Sequence, residues 1–302
     1  MTVKSMQYVP GKAILLGEHA VLHGQPAIAA SLPIGMTLTA SSTTHSARRP
    51  RCRDPKLRQA VQLATAFFHM DERNISIRIR SALPAGAGLG SSAALSVALV
   101  RAIANLHAAE LSQTDLLRMA TEIECVFHGR SSGLDVCTVL HTGLIWYQPT
   151  TIPAMHPLAI PREFALVIGL TTERRSTSTS TTTIEAETAR NAPLVERSMT
   201  ELGTLATLAR TAITGGDIAA LGQLMNAAHS HLHSLGLATP STNSAINTAR
   251  AAGAIGAKLT GAGGGGAFIA LAPEPARAPQ IEAALNSAGV STFTTYLPPL
   301  TL

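Results

Sequence analysis

The sequence predicts an α+β fold in two domains, and three observations predict it. Segments with strand periodicity and segments with helical periodicity alternate along the chain, as in a sandwich of sheets and helices. Apolar residues make up 46% of the 302 but aromatics only 3%, so the core is built from Ala, Leu, Ile and Val, which favours close helix packing. Prolines 153, 157 and 161 then break the pattern ahead of a fresh apolar strand, Ala165–Leu170, which puts a boundary between residues 1–160 and 161–302.

The first forty residues read as strand, turn and strand: Ala13–Leu16, then Gly17-Glu18-His19, then Pro26–Ala30. A polar, arginine-rich loop over 41–56 precedes an amphipathic helix near 57–69 and an alternating strand at Ile75–Ile79. Ser92–Ala108 carries apolar residues at helical spacing with almost no breaker, a buried helix. Another helix starts at Ser112-Gln113-Thr114-Asp115, a capping-box-like signal with Asp in the place of Glu, and runs toward His128 until Gly129 stops it. In the second half, the Ser/Thr run 176–183 is flexible or ligand-facing, and 192–236 reads as two helices split at Gly215-Gly216. A further helix leads to Lys258 and a glycine-rich turn. The strand Ala267–Leu271, a helix near 275–288 and a last strand near 291–297 follow.

Composition excludes several classes. Cys52, Cys125 and Cys137 show no CxxC spacing and cannot all pair, so neither a disulfide framework nor a zinc ribbon is indicated, and a reducing cytoplasm fits. The start lacks the apolar core of a signal peptide, and no apolar run approaches the roughly 20 residues of a membrane span. The expectation is a soluble cytoplasmic protein without a membrane partner. Net charge is +5, much of it in Arg48, Arg49, Arg51, Arg53, Lys56 and Arg58. That stretch is a solvated loop, a phosphate contact or, least of all, a polynucleotide surface, since no aromatic residue is interleaved for base stacking.

The chemistry concentrates in two glycine-rich segments. Pro84–Ala94 places Gly86, Gly88 and Gly90 at alternate positions before Ser91, Ser92 and a helix. Glycine lets backbone N–H groups approach a bulky anion, and a helix N-terminus adds about half a positive charge, so the combination binds phosphate. The alternative is a tight strand-to-helix turn. A Walker A loop is excluded, because Gly11-Lys12 is followed by Ala13 and Met6 stands where the leading glycine belongs. Gly261–Gly266 fits GxGxxG in letters only: a strand is expected after it and a helix before it, the reverse of the dinucleotide-binding context. Ordering so many glycines costs roughly 1 kcal/mol each, which points to close backbone approach to a ligand or to the first loop rather than to a plain turn.

Phosphoryl transfer needs hard oxygen ligands for Mg²⁺, a group to orient the attacking hydroxyl and a cation for the migrating charge. Among Glu18, Glu122, Glu124 and Asp135, the residues Glu124 and Asp135 can fill the acidic roles and Lys12 the cationic one. Taken singly, each is a surface charge. His229, His231 and His233 do not form a zinc set: only His229 and His233 share a helix face, and no acidic ligand accompanies them.

Four blocks, in order, resemble the GHMP small-molecule kinases, and most closely those that phosphorylate mevalonate: Pro10–Gly24, Pro84–Ala94, Glu124–Asp135 and Lys258–Gly266. The resemblance spans residues 8–270 and implies a two-domain α+β kinase fold, mixed sheets packed against helices, with the active site between the domains. It implies that Lys12 and Asp135 are catalytic, Lys12 stabilising charge and Asp135 orienting or deprotonating the C5 hydroxyl. Gly86, Gly88, Leu89, Gly90, Ser91, Ser92 and Ala93 would bind ATP, and Ser92 and Glu124 would hold Mg²⁺. Glu18 and His19 would line the mevalonate pocket, with Gly261, Ala262 and an Arg-x-Thr-like contact at Arg175 and Thr177. Arg130-Ser131, Val136 and Leu95 depart from the residues usual in those blocks, which bears on the acceptor rather than on phosphoryl transfer. The competing readings are another member of the same family acting on a different hydroxyl, and a nucleotide-dependent sensor that has lost turnover. A homodimer stays open as a partner, and no nucleic acid is expected.

Overall fold

In the computed structural model, residues 3–42, 54–150, 154–171, 173 and 177–301 are described, with the backbone alone for 177–182. The arginines of the basic stretch from 48 to 53, Cys52 and Arg175 lie outside the described residues, as does the Thr177 side chain. Within that stretch Lys56 is described, and its ammonium donates to the Phe127 carbonyl at 2.7 Å, near a helix C-terminus.

The chain divides into two compact units, one formed by Met1–Gly11, Pro33–Pro84 and Gly90–Leu140, the other by Lys12–Leu32, Ala85–Leu89 and His141–Leu302. Strands β1 (Val3–Leu16) and β2 (Ala27–Ser42) contribute residues to both units. In the first unit, β3 (Ile75–Ser81) pairs antiparallel with the far half of β2, Met36 opposite Ser81. Helices α1 (Pro55–Ala66), α2 (Ser91–Leu106), α3 (Gln113–His128) and α4 (Leu134–Val139) complete this unit. Helix α2 is apolar nearly all round, Ala93–Val100 and Ala102–Ala104 being buried, as expected of a helix enclosed by neighbours. Helix α3 starts at Ser112, whose hydroxyl accepts from Asp115 N, and stops at Gly129 (φ 77°).

The second unit holds β4 (Leu144–Gln148), β5 (Ala154–Pro157), β6 (Phe164–Leu170), β7 (Gly256–Leu259), β8 (Ala267–Leu271) and β9 (Ser291–Leu297). The near half of β2 pairs with β4, Ala27 opposite Tyr147, and β4 pairs with the edge strand β5. A separate four-stranded antiparallel sheet runs β7-β8-β6-β9. The helices are α5 (Thr177–Gly215), α6 (Ile218–Ser234), α7 (Pro240–Ala251) and α8 (Ala278–Ser287). Helix α5 breaks at Asn191 (φ −151°), two residues before Pro193, which cannot donate a helical hydrogen bond. Helices α7 and α8 pack on the sheet through small side chains, Ala245, Ala249 and Ala278 against Ala257, Ala270 and Val167, with Phe268 and Ile281 between. The aromatic-poor composition thus reappears as close helix-to-sheet contact.

Three features differ from the sequence reading. The units do not follow a single cut at residue 160, because Lys12–Leu32 and Ala85–Leu89 are hydrogen-bonded into the unit that contains 258–267: Ile14 N donates to Thr260 Oγ1 at 2.8 Å, and Ala267 N to Ala87 O at 3.0 Å. The proline stretch holds β5 and, at Ile160, a bridge to Leu300. Proline is tolerated there because an edge strand can spare a ladder N–H. Finally, a strand precedes the glycine-rich turn: α7 ends at Ala251, Gly253 (φ 103°) turns the chain, and β7 is too short to show period-2 alternation. The turn therefore joins two antiparallel strands, and the dinucleotide-binding context fails on the strand that follows it alone. Helix α4 and strands β4 and β5 had no counterpart in the sequence reading.

His229 is buried on α6, with Nε2 3.0 Å from Asn243 Oδ1, and Asn243 Nδ2 lies 3.2 Å from His233 Nδ1. Burial pushes the His229 imidazole down to about 4, partly offset by the Asn243 hydrogen bond. A folded value below the ordinary 6.5 means that the unfolded chain takes up the proton first. The contribution is therefore intact above about pH 6.5 and is lost as pH falls toward about 4. Urea denaturation at a series of pH values across that window should show a shallower loss of stability in His229→Gln than in the wild type; parallel curves would contradict this assignment.

Candidate active site

The second unit brings the two glycine-rich segments against each other, backbone to backbone. Thr260 N donates to Ala267 O at 3.1 Å to close the hairpin, and Ala267 N donates to Ala87 O. A Cβ on Gly261 (φ 78°) would meet the Gly88 carbonyl oxygen at 2.9 Å, and one on Gly266 (φ 90°) the Ala87 carbonyl oxygen at 2.9 Å. The glycines at these two positions thus answer to the first loop, the second of the two alternatives that the sequence left open. Lys12 is 2% exposed, and its backbone N–H donates to Leu89 O at 3.0 Å, which ties β1 to the same loop.

The turn after β1 is anchored on the same hairpin. Thr260 Oγ1 accepts from Ile14 N at 2.8 Å and donates to Ile14 O at 2.9 Å. Lys258 Nζ is ion-paired with Glu18 Oε1 and donates to Leu259 O at 2.7 Å. Both side chains are essentially inaccessible, at 0% and 1%. Burial raises the Glu18 carboxyl and lowers the Lys258 ammonium, the attraction between them opposing both shifts without cancelling them. Next in the chain, His19 has a left-handed φ of 58°, and its Nε2 lies 2.8 Å from Ala262 O. A carbonyl only accepts, so Nε2 carries the proton and Nδ1 is the acceptor edge. Burial pushes this imidazole down to about 4, so the ring is neutral at physiological pH.

In the first unit α2 starts after Gly90 (φ 77°) with no capping side chain, which leaves the first-turn N–H groups of Ser91, Ser92 and Ala93 to an anion. Ser92 Oγ donates to Glu124 Oε1 at 2.8 Å and lies 2.8 Å from His128 Nε2. One hydroxyl has one proton, so His128 Nε2–H is the donor to Ser92 Oγ; it also lies 3.2 Å from Glu124 Oε1. Ser96 Oγ reaches Glu124 Oε2 at 3.3 Å, so the buried carboxylate is met by neutral hydroxyls and the imidazole. Asp135 is half-buried in the first turn of α4, behind Gly133 (φ 82°). Glu122, by contrast, is a surface carboxylate facing Arg118.

The structure therefore gathers Ser92 with Glu124, and Lys12, Glu18, His19, Gly261 and Ala262 with Gly86–Leu89, in separate units. Sequence reasoning left two partners unassigned. The sequence places His128 four residues after Glu124, on one helix face, but gives it no role beyond that of a satisfied polar residue. Lys258 stands in the run Gly256-Ala257-Lys258-Leu259, where a single cation among small and apolar residues beside a glycine turn is the only signal. Among the described residues no cluster of three His, Cys, Asp or Glu suits a metal.

Gly261→Ala should lower stability by about 2 kcal/mol, combining the left-handed penalty with the approach to Gly88, as read from the urea midpoint. An unchanged midpoint would mean that the two loops do not constrain each other.

Two family descriptions match in order: GHMP kinases N terminal domain over residues 56–143 and GHMP kinases C terminal over residues 194–291. The mevalonate kinase of Pyrococcus horikoshii is 31% identical, aligned over 93% of this chain and 91% of that protein. The mevalonate kinase of Thermococcus sibiricus is 30% identical over 93% and 92%. Among solved structures, L. major mevalonate kinase in complex with R-mevalonate superposes with a TM-score of 0.83 at 26% identity, covering 100% of this chain and 98% of that one. On both matches and on relatives aligned nearly end to end, the chain belongs to the GHMP kinases.

Proposed function

We propose that this kinase transfers the γ-phosphoryl group of ATP to the C5 hydroxyl of mevalonate, giving 5-phosphomevalonate and ADP, as a cytoplasmic enzyme. The observation that carries the reading is the alignment, nearly end to end, with mevalonate kinases at 30% identity or better, in a chain that has Lys12, the Glu18-His19 turn and Asp135. Among the described residues, no helix is long and apolar enough to cross a membrane.

The chemistry follows from the residues. Backbone N–H groups of Gly86–Ser92 and the first turn of α2 receive the phosphates. Asp135 orients the C5 hydroxyl and takes its proton as the oxygen-to-phosphorus bond forms and the bond to the β-phosphate oxygen breaks, with ADP leaving. Lys12 offsets the charge that spreads over the migrating group. Ser92 and Glu124 offer converging hard oxygens 2.8 Å apart, a donor set that fits Mg²⁺. When bound, that ion neutralises phosphate charge. His19, neutral and with Nε2 committed to Ala262, faces the acceptor with Nδ1 as a hydrogen-bond acceptor.

Purified protein with MgATP should release ADP in the presence of mevalonate. Release on homoserine or galactose instead would overturn the acceptor and keep the kinase class. Asp135→Ala should cut kcat by about 10²–10⁴ while binding of a fluorescent ATP analogue is retained; unchanged turnover would remove Asp135 from the mechanism.

A further inference from the structure

We propose that Lys258 is a positioning residue for the acceptor: its buried ammonium, acting through Glu18, fixes the strained backbone at His19 and so the direction in which the imidazole edge is presented. The inference rests on the proposal that His19 lines the acceptor pocket, and it assigns Lys258 no contact with substrate. Three observations carry it.

First, His19 holds φ 58° and ψ −44°, outside the relaxed left-handed well, and a non-glycine residue keeps such a conformation only when its surroundings over-determine it. Three anchors hold it: Gly17 (φ 96°) before it, Glu18 bound to Lys258, and His19 Nε2 bound to Ala262 O. Second, Lys258 joins both sides of this arrangement. Its ammonium grips Glu18 and donates to Leu259 O, at the entrance of the hairpin turn that carries Ala262. Third, the pair is poorly built for stability alone. Both charges are buried, and Glu18 Oε2 has no hydrogen-bond partner among the described residues. A buried pair of this kind can be replaced by apolar side chains of similar volume with little loss, so what it supplies in return is geometry.

The test compares the wild type with Lys258→Met and Lys258→Arg, both of which keep Glu18, in steady-state kinetics and thermal melts. Lys258→Met leaves a buried carboxylate without its cation, and Lys258→Arg, which keeps the charge in a different geometry, is read alone if Lys258→Met does not fold. The expected result is KM for mevalonate raised about tenfold or more with KM for ATP unchanged. An unchanged KM for mevalonate, or a rise shared equally with ATP, overturns the positioning role. A wild type that does not turn over mevalonate at all marks failure of the acceptor assignment instead, and the same split is then read on the acceptor it does use.

Discussion

The close backbone approach of the 86–89 loop and the 260–267 hairpin is the constraint on which the rest of the second unit depends. Two peptide segments can lie this near only where side chains are absent, which fixes glycine at 261 and 266. Once the hairpin lies there, Thr260 captures Ile14, Ala262 captures His19, and Lys258 is driven inward toward Glu18. Lys12, on the strand so captured, is held in the interior beside the first loop. The anion-binding, charge-stabilising and acceptor roles proposed for the first loop, Lys12 and His19 would thus share one mechanical origin.

A second theme is how the molecule handles buried charge. In one unit Glu124 is met by the Ser92 and Ser96 hydroxyls and the His128 imidazole, with no lysine or arginine paired to it among the described residues. In the other, Glu18 is neutralised by Lys258, and desolvation works against both members of the pair. The two glutamates have the same chemistry and different surroundings: in the proposed mechanism Glu124 would hold a cation from outside, whereas Glu18 is paired with a cation inside the protein.

Much of the fold was legible because its signals are local. Ser112 and Gly129 bound α3 by capping chemistry alone, and the apolar density of Ser92–Ala108 announced a buried helix. What sequence patterns could not show was long-range: that residues 12–32 join the unit of residues 258–267 depends on hydrogen bonds across more than two hundred residues, such as Ile14 to Thr260. Strand β7 escaped because four residues carry no usable period, and Lys258 because a lysine beside a turn reads as solvent-facing until its partner is seen. His128 was closest to being found, one helical turn from Glu124.

The central claim is that these residues pass a phosphoryl group to one primary hydroxyl of a hydroxy acid. Following the phosphorus nucleus by NMR during turnover of ATP with mevalonate tests it most directly. The account predicts that the γ-phosphorus signal converts to a phosphomonoester split by coupling to the C5 methylene protons, in step with ADP. Conversion to inorganic phosphate alone, or no change on adding mevalonate, would contradict it.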